Sequence, residues 1–531
     1  EIADRDWSSD VCSSDLISAV FMLLFTSGCQ DWLDVNHDPN VLEEIPDAKV
    51  LLPAAEVGLG NNLMGWDMGF AGAFWSEYWT QAYSASQFKF LCEYNETSFG
   101  TAYQSLTAGV QEDLNKIKKI ASNANDHGSY FIAEVLSIFT WQVMTDVWGN
   151  IPYSEALKGD EGNSTPKFDK SEDIYADLLK RVDELLKVDL SKANVDTEYD
   201  FIYAGDMAKW KKFANSVKLK LMLRLSETSG YDNAKVLAFV KANDFLTASA
   251  KISGKVWSDG QEGKRHPMRE FQEGGAGYLT TNVIACKNFI DYLQVNNDPR
   301  IATLFTMADK NAGTYRGAFF GDFDSKEASD GSKKDKDVTY SKALFKEDMD
   351  LMIMSSWEVH FYIAEVYARA GDYGNAKQYY ENGVKASLEQ HGVTDMTILN
   401  KYAAWKATDK ESAIKQIGMQ KWVANANYQH IESFLERNRI KYPALYMLDI
   451  VLNRKQAFND PLLIGNITIA VNGRAKLNAS LPASPIYPDA VINRNPNSPA
   501  QKANLGEKVW WNVKPEIVAD QIGRASCRER V

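Results

Sequence analysis

Ten aromatic residues, Trp66, Phe70, Phe74, Trp75, Tyr78, Trp79, Tyr83, Phe88, Phe90 and Tyr94, fall within 29 positions of this sequence. A ring offers a flat apolar face, and Asn, Gln and Asp lie among these rings. That pairing suits sugars, which present C–H patches and hydroxyls together. Part of the run belongs to a core, because Phe74, Tyr78 and one of the tryptophans fit a helix face. Glycine and polar residues interrupt it, as suits loops that present rings at a surface. Trp66, Trp75, Trp79 and Tyr83 are therefore candidate ligand contacts. Trp257, Tyr278, Tyr315 and Phe319, further along the chain, join them.

Cys29 carries a different chemistry. Leu16 to Gly28 reads LISAVFMLLFTSG. A membrane-spanning helix needs about 20 apolar residues, so this stretch is too short to cross. It fits the apolar core of a secretion signal, which carries small residues at its cleavage site. The end, Thr26-Ser27-Gly28-Cys29, resembles a bacterial lipobox, in which the cysteine thiol is acylated before cleavage. Residues 1–15 carry one Arg and four Asp and fit no basic leader. These residues and 521–531 read as foreign sequence and are set aside. With Cys12 and Cys527 removed and Cys29 acylated, only Cys92 and Cys286 remain. Two cysteines make no disulfide framework, and a pair or two buried thiols are equally open.

No catalytic motif accompanies the aromatics. The six histidines, His37, His127, His266, His360, His391 and His430, lack partners at metal-ligand spacing, and His360 is not part of H-E-x-x-H. No G-x-S-x-G is present, and the glycines of GLGNNLMGWDMGFAGAFW lack the G-K-[ST] that holds phosphates. Any two acids could meet as a glycosidase pair, but with 71 of them chance pairs carry no weight. GDFDSKEASDGSKKDKD lacks the ordered ligands of a calcium loop and reads as solvated loop. No metal or cofactor is indicated. A net charge of −13 argues against nucleic acid, which demands basic patches.

Helical periodicity must position whatever binds. Leu106, Val110, Leu114 and Ile117 recur at three and four. Tyr130 to Gly149 is apolar nearly all round and predicts a buried helix that Gly149 ends in a left-handed cap. Ile174–Leu186 and Trp210–Leu225 predict two more. From about 249 to 350 the chain turns irregular. Trp357 to Ser387 then has the layout of a tetratricopeptide pair, within a hairpin at 355–390, with Gly371-Asp372-Tyr373 at the turn. One hairpin cannot bury its face alone and needs stacked neighbours. The fold class expected is mostly α, a tetratricopeptide-like helical scaffold with loop-rich ligand-binding insertions. Residues 16–28 would be a signal peptide, 29–53 a lipidated tether and 54–520 a single domain.

Several stretches together resemble the SusD/RagB family of nutrient-binding outer-membrane lipoproteins of Bacteroidetes. They are Cys29-Gln30-Asp31-Trp32-Leu33-Asp34-Val35-Asn36, then Asp146-Val147-Trp148-Gly149-Asn150-Ile151-Pro152-Tyr153. Phe213-Ala214-Asn215-Ser216 leads on to Leu223-Arg224-Leu225. Ile363-Ala364-Glu365, Gln420-Lys421-Trp422, Glu436-Arg437 to Tyr442-Pro443, and Ile486-Tyr487-Pro488 complete the set. Asn438 departs from a second Arg common in relatives. The resemblance implies a tetratricopeptide base resting on a SusC-like TonB-dependent transporter, ligand loops on one side, and a glycan or peptide ligand. It implies no catalytic residues, and Cys29 is the one functional residue carried over by motif. The expected function is a non-catalytic oligosaccharide-binding lipoprotein at the outer membrane. The alternatives are a surface glycoside hydrolase or peptidase, or an assembly subunit that binds no nutrient.

Overall fold

A helix with one dry stripe is stable only when a neighbour covers that stripe, and hairpin stacks supply the neighbour. The computed structural model of the chain describes residues 47–83, 85–275, 277–323 and 338–519. Its N-terminal half runs through α1 (Leu52–Leu63), α2 (Met68–Trp75), α3 (Gly100–Gln104), α4 (Glu112–Ala124), α5 (His127–Trp148), α6 (Ser171–Leu185), α7 (Met207–Arg224) and α8 (Asn233–Ala242). After α9 (Pro267–Glu273), the C-terminal half contributes α10 (Ser356–Arg369), α11 (Tyr373–Gln390), α12 (Lys410–Asn425) and α13 (His430–Ile440). Neighbours stack in sequence: α4 on α5, α5 on α6, α6 on α7, α10 on α11, α12 on α13. Packing of α7 on α10 and of α2 on α13 joins the halves.

The helix ends follow from local chemistry. The Asp126 carboxylate accepts the Ser129 N–H at 3.0 Å to start α5, and Asp206 and Asp232 do the same for α7 and α8. α5 is buried on nearly every face, as its composition predicts. It stops at Gly149, with φ 87° and ψ −124°. That is a glycine conformation, but not the left-handed helical cap expected from sequence. Between α10 and α11 the turn is made by Gly371 and by Asp372, whose carboxylate accepts the Asn375 N–H at 3.1 Å. Gly383 of α11 lies where a Cβ would come within 2.7 Å of the Phe361 ring, so the two helices cross closely. The periodic segment after α3 begins as a π-helix, Ser105–Gln111, before settling into α4.

Strands are few and short. β1 (Trp79–Gln81) pairs antiparallel with β3 (Val283–Ala285), and β2 (Ala250–Ile252) with β4 (Leu351–Met354). β5 (Leu445–Tyr446) and β6 (Ile467–Thr468) run parallel. The expected irregular middle, 249–350, is thus better organised than its composition suggests. Gly321–Phe323 of its Asp/Lys-rich run are buried, and 324–337 lie outside the described residues. The expected tether, 29–53, lies outside them up to 46, and from Ala48 its last residues wind into helix. Cys92 and Cys286 are buried free thiols, and burial pushes Cys92 up to about 12.

Two buried polar devices hold the stack together. In the first, Arg224 of α7 meets Asp146 of α5 at 3.0 Å and Glu432 and Glu436 of α13 at 2.7 and 2.6 Å. Lys220 bridges Glu358 and Glu432 at 2.8 and 2.7 Å, and Lys421 meets Glu436 at 2.6 Å. Arg439 forks onto Glu365 of α10 at 2.6 and 2.7 Å and reaches Glu436 at 2.7 Å. Burial alone would push the Glu365 carboxyl up, but Arg439 and Arg369 override it and hold the carboxyl at about 2. In the second device, Glu77 adopts a left-handed φ of 53°. Its carboxyl accepts from the Thr468 N–H and from Asn288 Nδ2, both at 2.6 Å, pinning β6 to the N-terminal half. Burial outweighs these donors and raises Glu77 to about 8.

Replacing Arg439 with Met keeps volume but takes a buried cation from both Glu365 and Glu436, leaving Arg369 on the first and Arg224 and Lys421 on the second. It should cost about 3–5 kcal/mol in chemical denaturation, the scale for breaking a buried pair. Glu77 holds its proton in the folded state up to about 8, whereas the unfolded carboxyl releases it near 4.5. Its stabilisation is therefore full below pH 4.5 and is lost as pH climbs to about 8, at about 1.4 kcal/mol per pH unit. Glu77→Gln should flatten that part of the stability–pH curve, which urea melts across pH 4–9 would measure.

Candidate functional site

The helix stack leaves a cleft where α1 ends, α3 begins and the 263–271 loop folds over them. At Gly65 an added Cβ would fall 2.3 Å from the Asn61 carbonyl oxygen, so glycine alone lets the chain turn there and swing Trp66 out of α1. Trp66 and Phe271 line a cleft of ≈ 320 Å³ together with Asn61, Asn62, Asp67, Thr101, Ser105, Arg265 and Glu270. That volume is at the lower end of ligand-sized pockets, roughly 300–1,000 Å³.

The aromatic wall is held from behind. Trp66 lies 5.3–5.6 Å, centroid to centroid, from Phe70, Phe88, Phe271 and Tyr278. Phe70 and Phe88 stack at 4.7 Å beneath it. A ring locked by four others meets a ligand with little entropy left to lose. The polar wall is equally fixed. Asn62 Nδ2 donates to the Gly58 carbonyl at 2.7 Å and to Ser105 Oγ at 2.9 Å. Asp67 Oδ2 accepts the Ala102 N–H at 2.8 Å, and burial raises its carboxyl above the usual range. Arg265 donates from Nε to the Asp259 carbonyl at 2.7 Å and from Nη1 to Glu270 at 3.1 Å. An aromatic ring lining one cleft with fixed amide, hydroxyl and carboxylate groups can hold a polyhydroxylated ring by stacking and hydrogen bonding.

Of the aromatics expected from sequence, the structure brings Trp66 into this cleft and Tyr278 against its back. Three others are core. Trp79 is fully buried, edge-on to His430 at 4.8 Å and to Phe345 at 6.0 Å. Trp75 is 5 % exposed, packed on Phe99 and Phe434. Phe319 is 1 % exposed in a satellite cluster with Tyr446, Ile450 and Leu463. These rings have no free face, because residues far along the chain cover them. Trp257 is half-buried, edge-on to His266 at 5.9 Å. Tyr83 and Tyr315 are half-buried, and neither lines the cleft. Cys29 lies outside the described residues. Sequence reasoning did not single out Asp67, Arg265, Glu270 or Phe271. A residue directly after Trp66 was a readable signal for Asp67, whereas nothing local marks the other three.

Three of the six histidines are core groups, while His127 is exposed and His360 half-buried. His266, His391 and His430 are buried, and burial lowers each to about 3. Among the described residues no group of three or more His, Cys, Asp or Glu side chains is arranged to hold a metal ion. No helix among them is long and apolar enough to cross a membrane.

Residues 39–460 match the SusD-like family described as "Starch-binding associating with outer membrane". The chain belongs to the SusD-like family. None of the curated proteins matches the sequence. Solved structures share the SusD-like fold. A SusD homologue from Bacteroides uniformis superposes with a TM-score of 0.66 at 21% identity, covering 87% of this chain and 99% of its own. A second, from Bacteroides fragilis, gives 0.65 at 21% identity, with 88% and 100% covered. A chitin-binding SusD homologue from Flavobacterium johnsoniae gives 0.64 at 19% identity, with 88% and 99% covered. The SusD-like fold is the helical, tetratricopeptide-containing stack described above, and its members are nutrient-binding proteins associated with the outer membrane.

Proposed function

We propose that this SusD-like protein is a non-catalytic oligosaccharide-binding lipoprotein, held at the outer membrane through acyl chains on Cys29. It captures glycan at the Trp66 cleft and passes it to a SusC-like TonB-dependent transporter. The observation that carries the ligand class is the Trp66 ring, packed on four aromatics and lining one cleft with Asn62, Asp67 and Ser105. The chitin-binding relative supports it, since chitin is a sugar polymer and that chain shares this fold. A helical base fixed by buried ion pairs leaves binding to the loops, where side chains can vary without loss of the stack. Anchoring at Cys29 keeps the binder beside the membrane it serves, and more than one acyl chain is needed for a stable anchor.

Trp66→Ala should keep its melting temperature within a few degrees and lose at least ~10-fold in glycan affinity, about 1.4 kcal/mol, by calorimetry against a panel of neutral oligosaccharides. A panel that binds nowhere would end the glycan reading, and unchanged affinity in the variant would end the assignment of this cleft. Separately, Cys29→Ser expressed with its signal should lose radiolabelled palmitate and move from the membrane fraction to the soluble one.

A further inference from the structure

The charges around the Trp66 cleft say more than that a sugar binds. Of the charged side chains that line it among the described residues, two are acids, Asp67 and Glu270, and one is a cation, Arg265. The cation is already spent within the protein. Its Nε donates to the Asp259 carbonyl oxygen at 2.7 Å and its Nη1 to Glu270 Oε1 at 3.1 Å. Glu270 is fixed in turn, because its Oε2 accepts the Gly263 N–H at 3.0 Å. Directly behind, Arg269 is taken by both oxygens of Asp259, at 2.8 and 3.0 Å, and by Glu273 at 2.9 Å. Lys264, exposed on the same loop, does not line the cleft.

A carboxylate is captured well when a guanidinium offers two parallel N–H donors. With Nε on the Asp259 carbonyl the Nε/Nη2 fork is closed, and the Glu270 carboxylate on Nη1 offsets the charge that would draw an anion to the N–H groups left on Nη1 and Nη2. Asp67, also in the lining, holds its carboxylate on the Ala102 N–H through Oδ2 and has a backbone hydrogen bond from Thr101, so it offers a ligand acceptor oxygens only. A uronate or sulfate in the same place would instead meet a like charge in a partly dehydrated site, where repulsion is poorly screened.

We infer that the Trp66 cleft is selective for neutral glycans and rejects acidic ones, with the Arg265–Glu270 pair as the element that cancels the cation an acidic sugar would need. This rests on the oligosaccharide reading above. The residues placed in charge of the selectivity are Glu270, which silences Arg265, and Asp67, which repels an anion.

The test compares ligands that differ only in charge. Maltotetraose, cellotetraose and chitotetraose are titrated by calorimetry, each beside its counterpart with the primary hydroxyls oxidised to carboxylates. Where a parent binds, its acidic counterpart should bind at least ~10-fold more weakly at ~50 mM salt, and raising salt to ~0.5 M should narrow that gap. Glu270→Gln should narrow it further, by gaining affinity for the acidic form, because it removes the carboxylate charge that offsets Arg265. An acidic counterpart that binds as tightly as its parent overturns the selectivity and leaves the glycan reading standing. So does a gap that salt does not change, or one that a folded Glu270→Gln protein leaves intact. If no parent and no counterpart binds, the glycan reading falls and takes this inference with it.

Discussion

Five carboxylates and five cations lose their water together when this chain folds, and none can do so unless its counter-charge arrives in the same event. Asp146, Glu358, Glu365, Glu432 and Glu436 come from α5, α10 and α13, and Lys220, Arg224, Arg369, Lys421 and Arg439 from α7, α10, α12 and α13. Dehydrating an isolated ion costs several kcal/mol, and the return comes only with close geometry and filled hydrogen bonds. Tyr175 donates to Asp146 at 2.5 Å, and the Tyr362 hydroxyl, with one proton to give, lies 2.8 Å from both Glu358 and Glu432. The network therefore tolerates one arrangement of these helices. A shift of one turn in any of them would leave a charge bare.

That constraint explains which short stretches carry the family likeness. Asp146 opens the D-V-W-G stretch, Arg224 sits within L-R-L, Glu365 within I-A-E, Lys421 within Q-K-W, and Glu436 heads the E-R stretch that runs to Tyr442-Pro443. Each supplies one pole of the buried network. The departure at Asn438 is harmless for the same reason. Arg439 makes the network contacts, Arg437 binds Glu516 at 3.1 and 2.7 Å, and Asn438 needs only the Ala483 carbonyl at 3.4 Å. A sequence signature of this kind reports the scaffold and is silent about the ligand.

The cleft stands apart from the network, at the open side of α1 and α3. Its ring wall is preorganised by aromatic packing and its polar wall by helix and loop backbone, so neither draws on the ion pairs. A rigid base with an independently built rim allows the ligand-facing side chains to change while the stack stays as it is.

Much of the scaffold was legible from sequence. Apolar spacing marked α5, α6 and α7 within a few residues of their ends, and the small–aromatic pattern with Gly371 at its turn marked the α10–α11 hairpin. These features are local, because a helix's stripe and its caps depend on residues within a turn or two of one another. The site was only half legible. Trp66, Trp75 and Trp79 are equivalent by type and near neighbours in the chain, yet one borders a cleft and two are core. The difference lies in what covers them: Phe434 lies over Trp75, and Phe345 and His430 over Trp79, whereas Trp66 packs on Phe70, Phe88, Phe271 and Tyr278 and still borders the cleft. Sequence determined the helices, the charges they must bury and the kind of surface a sugar would want. Tertiary structure decided which ring borders a cleft and which is core, because the covering residues, Phe434 over Trp75 and His430 over Trp79, lie hundreds of positions away in the chain.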